Sequence, residues 1–122
     1  ICASSVAQHA ALACFEPESL GAYEQRRGEF RRRRDFIVPA LKTLGLDVPV
    51  EPDGAFYVWF DCSRHSASSW DFCFDLMDRA HVALTPGRDF GPAQAERCVR
   101  LSFASSMAQL EMACERLARA LR

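Results

Sequence analysis

Spacing between apolar residues changes at a few places along this chain, and each change predicts an element. Leu20, Tyr23, Phe30, Ile37, Leu41 and Leu44 recur at intervals of three, four and seven, the period of one helix face. Pro17 suits the first turn of that helix and Gly45 its stop. A helix of this extent is on the order of 40 Å long, more than a small domain needs, so it is expected to bridge to something beyond. Pro39 lacks a backbone donor and crowds the carbonyl of Asp35, which predicts a kink. Ahead of this helix, Ser4 or Ser5 caps a short one that carries Val6, Ala10 and Ala13 on one face and ends near Phe15 and Glu16.

Beyond Gly45 the period shortens towards two. Val48 to Pro52 is expected to be extended, its prolines marking a sheet edge. Asp53 and Gly54 turn the chain into Ala55 to Asp61, whose run AFYVWF reads as a strand covered on both faces. Tyr57 and Trp59 alternate there with Phe56, Val58 and Phe60, and read as core aromatics with satisfied polar tips. Ser68 with Asp71, and Ser106 with Gln109, have capping-box spacing ahead of the amphipathic helices WDFCFDLMDRA and MAQLEMACERLARALR. In the last helix Met107, Leu110, Cys114, Leu117 and Leu121 form an ordinary core stripe. Between the two helices lie the short apolar strand Val82 to Leu84, the loop PGRDFG and a second strand around VRLSF. The order α, α, β, α, β, β, α predicts an α+β fold: a small, mainly antiparallel sheet with helices packed on one face, preceded by the long kinked helix.

Composition narrows the function classes. With 122 residues, 49% of them apolar, and a net charge of -1, the chain fits one compact domain. No apolar run approaches the roughly 20 residues of a membrane span, and the N-terminal ICASSVAQHAALACF lacks the basic region of a signal peptide. A cytoplasmic protein without membrane contact is expected. The run Arg31 to Arg34 spreads around its helix at about 100° per residue, and the whole chain is near neutral, so nucleic-acid binding is not expected. Glu29 with Arg33, and Arg31 with Asp35, are spaced for helical ion pairs.

The six cysteines, at positions 2, 14, 62, 73, 98 and 114, include no closely spaced ligand pair, and His9, His65 and His81 are scattered, so no metal site is expected. Cys73 and Cys114 fall on apolar helix faces, while Cys62, placed in a loop, is the candidate for oxidation. In PGRDFG, Arg88 and Asp89 are placed to pair with each other or to guard an entrance. Lys42, the only lysine, sits near a helix C-terminus, where a solvated cation is favoured.

One arginine departs from the pattern. By strand alternation Cys98, Arg100 and Ser102 face one side while Val99, Leu101 and Phe103 face the core. A guanidinium fixed on a strand presents a planar fork that matches a carboxylate or phosphate. On alternation alone an ordinary structural ion pair is the commoner role of such an arginine.

The motif PGxxFG, made by Pro86, Gly87, Phe90 and Gly91, follows a short apolar strand and precedes VRLSFA. This ordered pair resembles the C-terminal small domain of the class I/II aminotransferases, pyridoxal-phosphate enzymes of fold type I. Pro52 to Tyr57 is similar to the family's PxGAFY strand entry, Arg33, Arg34 and Asp35 to its RRD helix segment, and Gln8, Ala10, Ala11 and Leu12 to the helix that closes its large domain. The resemblance implies that residues 1–16 end the large-domain or crossover helix, that residues 17–122 form the small domain, and that Arg100 pairs with the α-carboxylate of an amino-acid substrate. In such enzymes the Schiff-base lysine, the aspartate facing the pyridine nitrogen and the phosphate-binding residues lie earlier in the sequence. No catalytic, cofactor-binding or metal-ligating residue is therefore assigned here, and the chain is expected to be a fragment that is inactive alone. Pyridoxal 5'-phosphate, amino-acid and 2-oxo-acid substrates, the protein's own large domain and a homodimeric partner are expected of the intact protein. A β-lyase, or the aminotransferase-like effector domain of a transcription regulator, is the alternative that the same resemblance allows.

Overall fold

Residues 2–122 are described by a computed structural model, in which four helices and three strands follow the expected order. They are α1 (Ser5–Ala13), α2 (Pro17–Thr43), β1 (Tyr57–Asp61), α3 (Ser69–Ala80), β2 (Thr85–Pro86), β3 (Cys98–Ser102) and α4 (Met107–Ala120), with a 3-10 turn at Gly87–Phe90 between β2 and β3. Local chemistry sets the helix starts. The Ser4 and Ser68 hydroxyls accept from the amides of Ala7 and Asp71, and at α4 Ser106 and Gln109 make both halves of a capping box. Gly45, at φ +76°, ends α2 in the left-handed conformation that glycine adopts without strain.

β3 is the central strand and pairs antiparallel with β1 on one side and β2 on the other. Val58, Phe60, Val99 and Leu101 project from one face of this sheet into the core. There they join Ile37 and Leu41 of α2, Phe72 and Leu76 of α3, and Leu110 and Leu117 of α4. Burying each of these large apolar side chains stabilises the fold by about 1.5–3 kcal/mol. All of this helix packing lies on one face, as the α+β expectation requires. The opposite face carries Tyr57, Trp59, Thr85, Arg100 and Ser102.

The two ends of α2 differ. Ile37, Val38 and Leu41 are buried, whereas Leu20 and Tyr23 are exposed. α1 buries no residue, and Val6, Leu12 and Phe15 stand in solvent. The helical run continues on both sides of Pro39 to Thr43.

Several expectations need correction. Val48 to Pro52 is not a strand: the one bridge nearby is made by the preceding Asp47 with Asp61, and Pro49 and Pro52 offer no donors to extend it into a ladder. β2 lies at Thr85–Pro86, three residues after the expected Val82, with Pro86 accommodated because the strand is an edge. β1 is not covered on both faces; Val58 and Phe60 are buried while Tyr57 is exposed and Trp59 only half-buried. Asp53 and Gly54 do turn the chain, and the residue that follows, Ala55, is left-handed at φ 56°. Glu29 pairs with Arg33 as expected, at 2.9 Å, but Asp35 is taken by its neighbour Arg34 rather than by Arg31.

Cys62 is the clearest reversal. It lies at the end of β1, fully buried, with its amide donating to Arg97 O at 2.8 Å. Burial pushes its thiol up to about 11 and that of Cys73 up to about 12, so neither forms an appreciable thiolate at neutral pH. Cys2 and Cys14 are the exposed thiols. Maleimide labelling of the native chain near pH 8 is expected to modify Cys2 and Cys14 rapidly and to leave Cys62, Cys73 and Cys98 protected until unfolding. Peptide mass mapping reads this, and labelling of Cys62 at the rate of Cys14 would contradict its burial.

Candidate functional site

Arg100 occupies the middle of the central strand, on the face that no helix covers, opposite Trp59 of β1 and Thr85 of β2. Its guanidinium carbon lies 4.2 Å from the centre of the Tyr57 ring and 4.6 Å from that of Phe90. Both distances are within the roughly 6 Å over which a ring face attracts a cation. Phe90 in turn meets Trp59 edge-on, with ring centres 5.4 Å apart and planes at 83°. Nη2 donates to Thr85 Oγ1 at a long 3.4 Å, and Nε is sealed from solvent with no acceptor.

No carboxylate within the described residues pairs with Arg100. Glu96 and Asp61, close to β3 in the sequence or the sheet, are committed elsewhere. Glu96 binds Arg88 through two bonds of 2.7 and 3.1 Å, and that guanidinium holds its carboxyl below the usual range. Asp61 accepts from the Ser63 amide at 2.7 Å and from Arg97 at 2.5 Å; burial opposes its ionisation, but these bonds together keep its carboxyl low. Other half-buried arginines differ from Arg100: Arg33, Arg34 and Arg116 each donate to a backbone carbonyl. The structural ion pair that alternation left open is therefore absent, and the fork of Arg100 is available. A buried donor without a partner costs about 1–3 kcal/mol, a cost that Nε bears in this arrangement.

Backbone geometry places Phe90. Gly87 is buried where the chain leaves β2, and a Cβ there would meet Ala95 O at 2.5 Å and Cys98 O at 2.7 Å. The 3-10 turn that follows carries Phe90 back over the sheet, and Gly91, at φ 124°, releases the chain. Ser69 fixes the far side of this loop, its hydroxyl donating to Ala95 O at 2.6 Å and its amide to Glu96 O at 2.8 Å. Arg88 pairs with Glu96 and lies over Trp70, not with Asp89 as one of the sequence expectations had it.

The sequence points to Arg100 but not to its neighbours. In the sequence Tyr57 reads as a core aromatic and Phe90 only as a member of the PGxxFG motif, and nothing marks Thr85. Their convergence depends on strand register: Tyr57 faces Ser102, which puts it diagonal to Arg100 on the same face. The signal that locates them is the pairing of apolar positions, Val58 with Leu101 and Phe60 with Val99, which sets Trp59 beside the arginine and Tyr57 diagonal to it.

A pyridoxal cofactor finds no holder among these residues. Lys42 is the only lysine, and its Nζ lies 2.6 Å from Glu51 Oε1 in an exposed ion pair at the end of α2. A cleft of about 420 Å³ runs between α2 and the 53–56 turn, with Arg26, Arg27 and Arg31 at its rim and Phe30 and Phe56 in its wall, but Arg100 does not line it. No cluster of metal-binding side chains occurs among the described residues, and none of their helices is long and apolar enough to cross a membrane.

The family model described as aminotransferase class I and II matches residues 1–117. Valine–pyruvate aminotransferase of Mycobacterium tuberculosis is 33% identical over 117 residues, which are 96% of this chain and 30% of that protein. A probable N-acetyl-LL-diaminopimelate aminotransferase of Bacillus subtilis is 40% identical over 95% of this chain and 29% of its own length. Among solved structures, an aromatic aminotransferase from Pyrococcus horikoshii superposes with a TM-score of 0.86 at 38% identity, over 92% of this chain and 30% of that one. The chain thus spans about 30% of the length of the relatives it matches. Matched over nearly all of its residues in sequence and in architecture, the chain belongs to the class I and II aminotransferase family.

Proposed function

We propose that the intact protein is a pyridoxal-phosphate-dependent aminotransferase that moves an amino group between an amino acid and a 2-oxo acid, and that this chain supplies substrate capture through Arg100. The observation that carries the proposal is a half-buried guanidinium, fixed on the open face of a sheet and left without any acid of its own. A substrate α-carboxylate is the complementary partner: it accepts two parallel N–H bonds, and it orients the Cα of the amino acid relative to the reacting centre. Pyridoxal phosphate supplies the electron sink for the amino-group chemistry when bound. Its holding residues lie outside this chain, because Lys42 is engaged with Glu51 and no second lysine exists.

The proposal extends to organisation. Residues 1–16 close the large domain and residues 17–122 form the small one, which accounts for an α1 that buries nothing and for the exposed Leu20 and Tyr23 at the start of α2. These apolar side chains are the surface that meets the large domain. The intact enzyme is taken to act as a homodimer in the cytoplasm.

Mixing the 122-residue chain with pyridoxal phosphate is expected to give no visible imine band, whereas the intact protein is expected to show one and to convert amino acids into 2-oxo acids. A band from the chain alone that disappears in Lys42→Ala would overturn the division of labour. Release of the β-substituent of a substrate, without transfer of its amino group to a 2-oxo acid, would place the intact protein among the lyases instead.

A further inference from the structure

We propose that Tyr57 and Phe90 form an aromatic cradle that positions Arg100 for end-on capture of a carboxylate through its two terminal nitrogens, a role that rests on the carboxylate reading of Arg100. Three observations converge on it. Two rings from separate elements, the start of β1 and the end of the 3-10 turn, both lie within 4.6 Å of the guanidinium carbon. Neither ring is core, since Tyr57 is 38% and Phe90 48% exposed. Nε is sealed and unpartnered, Nη2 has only the long contact to Thr85, and Nη1 is neither sealed nor bonded within the described residues.

The chemistry follows from what a ring face does to a cation. It stabilises the positive charge and limits rotation of the guanidinium plane, but accepts no in-plane hydrogen bond. An aspartate or glutamate in the same place would occupy the fork; the rings leave it free. With Nε closed off, the edge offered to a ligand is the Nη1–Nη2 end, which meets the two oxygens of one carboxylate in parallel. Trp59 braces the arrangement, because its edge-on contact keeps Phe90 from swinging away from the arginine. The cradle therefore acts through Arg100, and a lysine, which has no planar face, would gain little from it.

The test uses the intact protein and butyrate, a monocarboxylate with no amino group, its dissociation constant measured by calorimetry beside KM and kcat for an amino-acid substrate. Phe90→Leu and Tyr57→Leu are each expected to weaken butyrate binding by about tenfold, the scale of one partly desolvated cation–π contact. KM should rise with it while kcat changes less, and the ring-preserving Phe90→Tyr and Tyr57→Phe should bind as the parent does. Loss of a bulky side chain for merely structural reasons would not be rescued in this ring-dependent way. Should Tyr57→Leu fail to fold, Phe90→Leu decides alone, because Phe90 lies outside the strand ladder. If the leucine variants bind butyrate normally while Arg100→Ala does not, the cradle is wrong and the carboxylate reading stands. If Arg100→Ala also binds normally, the carboxylate reading itself fails and the cradle with it.

Discussion

Arg100→Ala in the intact protein is expected to lower kcat/KM for amino acids by about 10- to 100-fold or more, the equivalent of roughly 1.5–3 kcal/mol for a charge-assisted pair. The loss should be selective. Amines that lack the α-carboxylate never use the fork, so their slow turnover should hardly change and the preference for amino acids should collapse. Stability should fall only modestly, because Arg100 makes no ion pair and one long hydrogen bond within the described residues, and what is lost is chiefly its contact with the Tyr57 and Phe90 rings. Removing it also removes the unpartnered Nε. Steady-state kinetics on matched amino-acid and amine substrates checks this, and a variant that handles amino acids normally would refute the assignment.

Gly87→Ala is expected to have the largest effect on stability. The added Cβ would lie 2.5 Å from Ala95 O and 2.7 Å from Cys98 O, closer than such atoms approach. Neither carbonyl is free to move. Ala95 O is held by the Ser69 hydroxyl at 2.6 Å, and Cys98 sits in β3 opposite Asp61. Backbone must shift, at about 3 kcal/mol, the upper end of the usual overpacking range. For a domain of this size that corresponds to a melting temperature lower by roughly 10 °C. The turn that carries Phe90 would be displaced as well, so carboxylate binding should weaken together with the fold. A thermal midpoint equal to the parent's would show that the loop yields and that the glycine is not required.

The contrast between Arg100 and its surroundings shows what the sequence makes legible. Local signals worked: the serine caps of α1, α3 and α4, the stripe of α4 and the alternation around Arg100 depend on neighbours within a few positions. The PGxxFG and VRLSFA motifs placed the arginine in a family before any contact was known. What escaped depends on pairing at long range. Cys62 is buried because the end of β1 is tied to both Asp47 and Arg97, 15 residues before and 35 after. Tyr57 and Phe90 meet at Arg100 only after β1 and β3 have paired and the buried Gly87 has turned the chain. Val48 to Pro52 has the composition of an edge strand, yet pairing stops at the single bridge of Asp47 just before it. Extended sequence becomes a strand only where its backbone can join a ladder, and Pro49 and Pro52 offer no donors to the free edge of β1.

The half-exposed faces of Tyr57 and Trp59 fit the same logic. A run as apolar as AFYVWF reads as doubly buried, and one of its faces is open in this chain. Under the proposed function that open face is half of a site, completed by a large domain that brings the cofactor.

The central claim is that Arg100 receives the substrate carboxylate, and a crystal structure of the intact protein with a bound carboxylate substrate analogue tests it most directly. The expected result is two parallel bonds of about 2.8 Å from the terminal nitrogens of Arg100 to the two oxygens of the ligand, with the rings of Tyr57 and Phe90 still against the guanidinium. A carboxylate bound to another residue, with Arg100 turned to solvent or paired with an acid of the protein, would contradict it.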